Sequence, residues 1–326
     1  MYMNKIALVF IAGSLVLEGC VRRIHNPHEV IDQTYIHPYG VPIEEDTWQS
    51  QGASGQVVST LKSGILVTKT FAGGVLEGET TYTFPHSELI EKREFYAGNI
   101  LQKETHFHRN GTPSYQIDYT SPTSQTILTW YDNGATQSSE ILENERITKG
   151  EYFDLTHRPD SRIDNGNGFR TRRDAFGNMV GVDSVVDGEV MLTKTFHQNG
   201  AVKEEIPYEK GKIEGQVKTY LPDGVPVSIE SWVKGQKTGV TRLFENGEMV
   251  AEVPYIKGVK EGIEKRYRNG KILVAEISWV DDQIHGPYIS KIGEVTKIDY
   301  FYQGNSVSKS VYEKMTNGFD PYSIRS

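Results

Sequence analysis

A single cysteine, Cys20, serves the whole 326-residue chain, so neither an intramolecular disulfide nor a cysteine-built metal cluster can form. Long hydrophobic runs are also missing. The longest, from residue 6 to residue 17, has twelve residues, too few to span a bilayer comfortably. The sequence has no Gly-x-Ser-x-Gly, no His-Glu-x-x-His and no phosphate-cradling Gly-x-x-x-x-Gly-Lys, and Gly166-x-Gly168-x-x-Thr171 breaks the dinucleotide pattern. Basic excess is absent too: the formal net charge is −8, which disfavours nucleic acid as a partner. These absences point away from an enzyme, and no cofactor or metal is expected.

What the chain does contain is turn and strand material. Hydrophobic residues make up 37 %, with 18 Tyr and 12 Phe, and 32 Gly are spread evenly with no seam between domains. Aromatic residues favour strands and glycines favour reversals, so the expected fold is all-β, with helices scarce.

The N-terminus has a different character. Lys5 precedes the apolar run, and Leu17-Glu18-Gly19-Cys20 is similar to a bacterial lipobox, although Glu18 stands where a small or apolar residue is usual. Residues 1 to 19 are therefore expected to be a signal peptide and Cys20 the site of lipid attachment. Acyl chains such as palmitate would then anchor the protein to a membrane of the bacterial cell envelope. The alternative is that Cys20 is an incidental small hydrophobe. Residues 20 to 60 show no period, and Pro27, Pro38, Pro42 and the run from Gln49 to Gly55 suggest a tether.

From about residue 61 to 314 the sequence repeats. Gly177, Gly200, Gly224, Gly247, Gly270 and Gly293 are separated by 23, 24, 23, 23 and 23 residues, and Gly111 and Gly134 by 23. Asn or Asp precedes most of them, as in Asn110-Gly111, Asn133-Gly134, Asn199-Gly200, Asp223-Gly224, Asn246-Gly247 and Asn269-Gly270. Such pairs predict two-residue type I′ hairpin turns with positive φ at both positions. An aromatic follows eight or nine residues later, as in Tyr119, Tyr208, Trp232, Tyr255, Trp279 and Phe301. A second glycine then stands seven residues beyond an aromatic, at Gly78, Gly215, Gly239, Gly262 and Gly286, at the end of a Gly-x-x-x-Gly stretch in Gly211 to Gly215, Gly235 to Gly239 and Gly258 to Gly262, which suggests the second reversal of each unit. Each period thus holds two strands and two turns. An irregular insertion is expected near 151–168, a polar terminal strand that resists edge pairing near Asn305, and a tail over 315–326.

In the stretch Phe244-x-Asn246-Gly247, Tyr255-x-x-Gly258-x-x-x-Gly262, Tyr267-x-Asn269-Gly270, the chain resembles the bacterial MORN-repeat variant family. The resemblance implies an extended antiparallel β-meander or solenoid of hairpin repeats. It also implies two possible roles, an antitoxin-like or immunity-like protein that neutralises a toxin, or a phospholipid-associating structural protein. A hairpin of this size cannot bury its own apolar face, so the units must stack.

Few residues suggest chemistry. His106-x-His108 would set two imidazoles on one strand face without a third ligand. Asp160, Asp164, Asn165 and Asn167 faintly resemble a calcium loop, with Arg162 in a ligand place. Glu140, Glu205, Glu230, Glu252 and Glu276 recur after the turns and read as a solvated sheet face. Tyr208, Trp232, Tyr255 and Trp279 are either core or a binding ladder. The expectation is a non-enzymatic, membrane-anchored repeat scaffold for a protein partner whose identity the sequence does not give.

Overall fold

The structure is a computed structural model and describes residues 26 to 316. The expected signal peptide, Cys20 and most of the C-terminal tail lie outside the described residues. Within them the chain forms a single open antiparallel sheet of 28 strands, in which successive long strands are hydrogen-bonded and the two-residue strands Pro42–Ile43, Lys212–Ile213, Gln236–Lys237 and Val259–Lys260 pair only with the strand before them. One unit shows the pattern: strand Gly239–Glu245 pairs with Glu248–Ile256, which pairs with Gly262–Arg268, which pairs with Ile272–Val280. The all-β meander predicted from the glycine period is the observed fold.

Three boundaries differ from expectation. Much of the segment read as a tether is folded: strand Val30–Ile36 pairs with Gly55–Leu61, and helix Glu45–Ser50 between them buries Trp48 against Tyr35 and Phe71. Its apolar residues alternate for only one strand before a turn, which hides the period. Second, no insertion interrupts 151–168. Strands Arg146–Phe153, Pro159–Asp164 and Asn167–Arg173 continue the ladder. There the turn Asn165-Gly166 comes early and shortens the unit, so the spacing, not the pairing, is irregular. Third, the polar terminal strand is only Asn305–Val307 and covers Tyr300, Phe301 and Tyr302; helix Lys309–Met315 follows it, its Tyr312 ring 5.5 Å from that of Tyr300.

The turns also differ from the prediction, in a way that explains the residues used. At Gly111, Gly134, Gly200 and Gly224 only the glycine has positive φ; the Asn or Asp before it does not. The Gly111 N–H donates to the His108 carbonyl at 2.9 Å and the His108 N–H to that of Thr112 at 2.8 Å. This is a three-residue loop, a type I turn closed by a left-handed glycine. Asparagine is there for its side chain. Asn199 Oδ1 accepts from the Ala201 N–H at 3.1 Å, and its Nδ2 donates to the Pro222 carbonyl at 2.7 Å in the turn of the next unit. Asn246 and Asn269 alone follow the prediction, with positive φ at both residues of the pair.

Two-residue turns with positive φ at both positions instead make the second reversal, at Lys210-Gly211, Lys234-Gly235 and Lys257-Gly258. The second reversal therefore falls at the first glycine of each Gly-x-x-x-Gly stretch, and not at the second, Gly215, Gly239 and Gly262. These sit within the next strands, each opposite an aromatic: Gly215 faces Trp232, Gly239 faces Tyr255 and Gly262 faces Trp279. A φ near +105° and the ring across the ladder favour glycine there. Turns of successive units are stitched together, as where the Gly258 N–H donates to the Lys237 carbonyl at 2.8 Å.

Because side chains alternate along a strand, the register sorts them onto two faces. One face carries most of the buried residues, among them Val57, Ile147, Tyr152, Ile163, Val185, Val217, Val253 and Ile277. Buried Glu94, Asp183 and Glu264 lie on the same face, which we call the carboxylate face. The opposite face carries half-buried cross-strand ion pairs, such as Lys194 with Glu205 and Arg242 with Glu252.

Candidate functional site

Glu94, Glu230 and Glu264 each sit in a strand with a partner two residues away, which alternation places on the same face. Glu94 is served by Lys92 Nζ at 2.6 Å and by the hydroxyls of Tyr96 at 3.1 Å and Tyr82 at 3.0 Å from the neighbouring strand. Glu230 accepts from Trp232 Nε1 at 3.0 Å and Lys237 Nζ at 2.9 Å. Glu264 accepts from Arg266 at 2.7 Å and Trp279 Nε1 at 2.9 Å. A buried charge is costly without such donors, and here aromatic polar tips share the work with cations.

Midway along the same face lies an open depression of about 750 Å³. Its lining mixes apolar Ile127, Leu142, Ile147, Val190 and Ile206 with polar Glu140, Arg170, Arg172, Asp183 and Thr193. Asp183 is bonded by Arg170 Nε at 2.8 Å and Thr193 Oγ1 at 2.7 Å, with Arg172 at 3.3 Å. Glu140 accepts the Tyr152 hydroxyl at 2.7 Å. Burial, and then the Glu140 charge, hold the Tyr152 phenol far above its ordinary range. Burial alone would lower Arg170, but Asp183 and Glu140 outweigh it and raise it further. The polar residues thus form a charge-balanced cluster, two carboxylates against two guanidinium groups.

The structure brings the repeat aromatics into one row. Trp232, Tyr255 and Trp279 lie half-buried on the carboxylate face, Tyr208 continues the row into the wall of the depression, and two lysines bridge the units. Lys237 Nζ stands 4.3 Å over the Tyr255 ring and Lys260 Nζ 4.2 Å over that of Trp279. These residues are therefore neither closed core nor free platforms; they are surface braces with cation–π contacts. The turn glycines Gly111, Gly134, Gly200, Gly224, Gly247 and Gly270 stand at one margin of the sheet, in the loops.

The remaining candidates disperse. His106 pairs with Glu104 and His108 with Asp132, so the two imidazoles do not converge. In the calcium-like cluster Asp160 pairs with Arg173, Asp164 with Arg162, and Asn165 forms a turn, leaving no cradle. The recurring acids split. Glu205, Glu252 and Glu276 lie on the opposite face, while Glu140 and Glu230 lie on the carboxylate face. Sequence reading missed Glu94, Asp183 and Glu264. For Glu94 and Glu264 the signal was local, an acid two residues from an aromatic or cation within a strand, as in Lys92-x-Glu94-x-Tyr96 and Glu264-x-Arg266; Asp183, between Gly181 and Val185, carries no such signal.

Comparison with known proteins fits this architecture. Residues 190–210 match the family model described as MORN repeat variant, and that segment is one hairpin, from strand Glu189–Phe196 through Gly200 to strand Val202–Glu209. No curated protein matches. Among solved structures, TcdB2-TccC3-TEV is 12 % identical over 85 % of this chain with a TM-score of 0.17, and this chain spans 16 % of its length. A porin-like protein from Bacteroides uniformis is 11 % identical over 86 % of this chain and 94 % of its own, also with a TM-score of 0.17. The family match and the hairpin array together describe a repeat-built scaffold; the structural likenesses, at these scores, carry no argument.

Proposed function

We propose that this protein is a non-enzymatic binding scaffold of the bacterial cell envelope, anchored by lipid on Cys20, whose carboxylate face receives a protein partner. One observation carries the reading: the row Trp232, Lys237, Tyr255, Lys260 and Trp279 fixes large aromatic and cationic groups at hairpin spacing on one face. Strands lie about 4.8 Å apart, so successive aromatics recur every ~10 Å, a spacing that a partner laid across the strands can meet repeatedly. Trp and Tyr held by packing lose little entropy on binding, which is why such residues dominate protein interfaces. The lipid anchor rests on the sequence from Lys5 to Cys20.

Affinity capture from envelope extract, with the full chain carrying Cys20→Ala and a heat-unfolded control, tests the scaffold reading. A stoichiometric protein retained by the folded chain and lost with Trp232→Ala or Tyr255→Ala supports it. Retention of anionic vesicles instead, with no protein, moves the function to lipid association; a retained toxin identifies a neutralising role. Membrane fractionation of Cys20→Ala tests the anchor, which fails if the variant remains bound as the parent does.

A further inference from the structure

An open meander has two ends, and among the described residues both leave backbone groups without a ladder partner. At the first strand, Val30–Ile36, the side away from Gly55–Leu61 is covered only at Tyr35 and Ile36, by Ile43 and Pro42. At the last long strand, Val295–Tyr302, the terminal strand covers only Tyr300, Phe301 and Tyr302. Residues 30–34 and 295–299 are thus free edges of equal length, and both expose apolar side chains: Ile31 at 62 %, Val295 at 69 % and Ile298 at 48 %. Soluble proteins usually blunt such edges, because an unpaired edge is a template for another strand.

We propose that the two edges pair with each other between copies of this chain, head to tail, in the antiparallel register that sets Asp32 opposite Lys297. Hydrogen-bond direction supports that register. His37 N–H bonds to the Val41 carbonyl and Tyr35 faces Ile43, so on the first strand the odd-numbered residue Gln33 turns its backbone groups outward. Tyr302 faces Asn305 across the two-residue turn Gln303-Gly304, so on the last long strand the even-numbered Thr296 and Ile298 turn outward. Gln33 then faces Thr296 as a hydrogen-bonded pair, while the register shift between Val30 and Asp32 ends the regular alternation at Ile31. Asp32 and Lys297 fall beside that pair, at the closer non-hydrogen-bonded position, with opposite charges. Lys297 is already 2.8 Å from Asp299 on its own strand, both in the open, so Asp32 joins an existing pair. A symmetric pairing of two C-terminal edges that uses all the outward groups of Thr296 and Ile298 would instead set Lys297 against Lys297, which like charge disfavours. Head-to-tail contacts do not close, so the product is a linear chain of copies. Five residues a side make a small interface, so the association is weak and concentration-dependent.

Disulfide trapping tests it in the full chain with Cys20→Ala, into which Asp32→Cys and Lys297→Cys are placed in separate samples and mixed. The mixed disulfide is expected to form roughly tenfold or more faster than Asp32→Cys with a Lys257→Cys control at an exposed turn. Equal rates overturn the proposal, and so does faster Lys297→Cys self-pairing. Charge reversal gives a second readout by sedimentation: Lys297→Asp or Asp32→Lys alone should reduce association, and both in one chain should restore it. Failure of the double variant to restore it, or a parent chain that stays monomeric at every concentration, rules the pairing out.

Discussion

The indole N–H of Trp279 donates to the carboxylate of Glu264 on the neighbouring strand at 2.9 Å, and Glu264, at 2 % exposure, is among the most buried acids of the protein. The pair ties a residue that stands in the repeat aromatic position to one that does not recur with the period. Replacing Glu264 by Leu leaves the Trp279 N–H without its acceptor and strips Arg266 of its partner. The expected cost is about 1–3 kcal/mol, with Glu264→Gln retaining part of it. Urea unfolding followed by tryptophan fluorescence measures both, and equal midpoints for Glu264→Leu and the parent would contradict the role.

Glycine substitutions should separate by what a side chain would meet. At Gly224, φ is +85° and the space is open, so Gly224→Ala should cost only the left-handed strain, about 1–2 kcal/mol. At Gly239 a Cβ would also stand 3.1 Å from that of Ser231, and at Gly168 it would run into the Arg162 backbone carbonyl. The expected order of melting temperatures is Gly224→Ala above Gly239→Ala above Gly168→Ala. A Gly168 variant as stable as the Gly224 variant would mean that the strands around 159–173 are not paired as described.

Asn199 tests the turn assignment. Asn199→Asp keeps the acceptor for the Ala201 N–H and loses the donor to Pro222, while Asn199→Ala loses both. Asn199→Ala should cost about 1 kcal/mol and Asn199→Asp less, measured by thermal unfolding. Were positive φ the reason for asparagine here, Asn199→Gly would be neutral; the lost inter-unit hydrogen bond predicts that it is not.

Alkaline pH should weaken the array. Burial, then the Glu94 charge, push Tyr96 up to about 12, and Tyr82 and Tyr152 are held higher still, burial first. A phenol whose folded value exceeds its unfolded value of about 10 gives stability that is complete below pH 10 and is lost as pH rises toward the folded value. Stability should therefore fall between pH 10 and 12, with tyrosinate absorbance appearing late and together with loss of the β circular-dichroism signal. Early, non-cooperative ionisation of all tyrosines would contradict the buried Tyr–Glu contacts.

The sequence determined the architecture, because turn glycines recur every 23 or 24 residues and a hairpin of that length must find neighbours. It also determined which residues form the aromatic row, since Tyr208, Trp232, Tyr255 and Trp279 share one place in the period. Periodicity reports what every unit needs, so it is silent on what one unit does alone. Only the tertiary structure decided that Asn199 reaches the next turn, that Gly262 lies across the ladder from Trp279 and not at a reversal, and that Glu230 lies on the carboxylate face while Glu252 lies on the opposite one. The last distinction is one of strand parity: a single residue of register sends a side chain to the opposite face. The bulges that set that parity arise from pairing between strands, which a spacing of glycines does not encode.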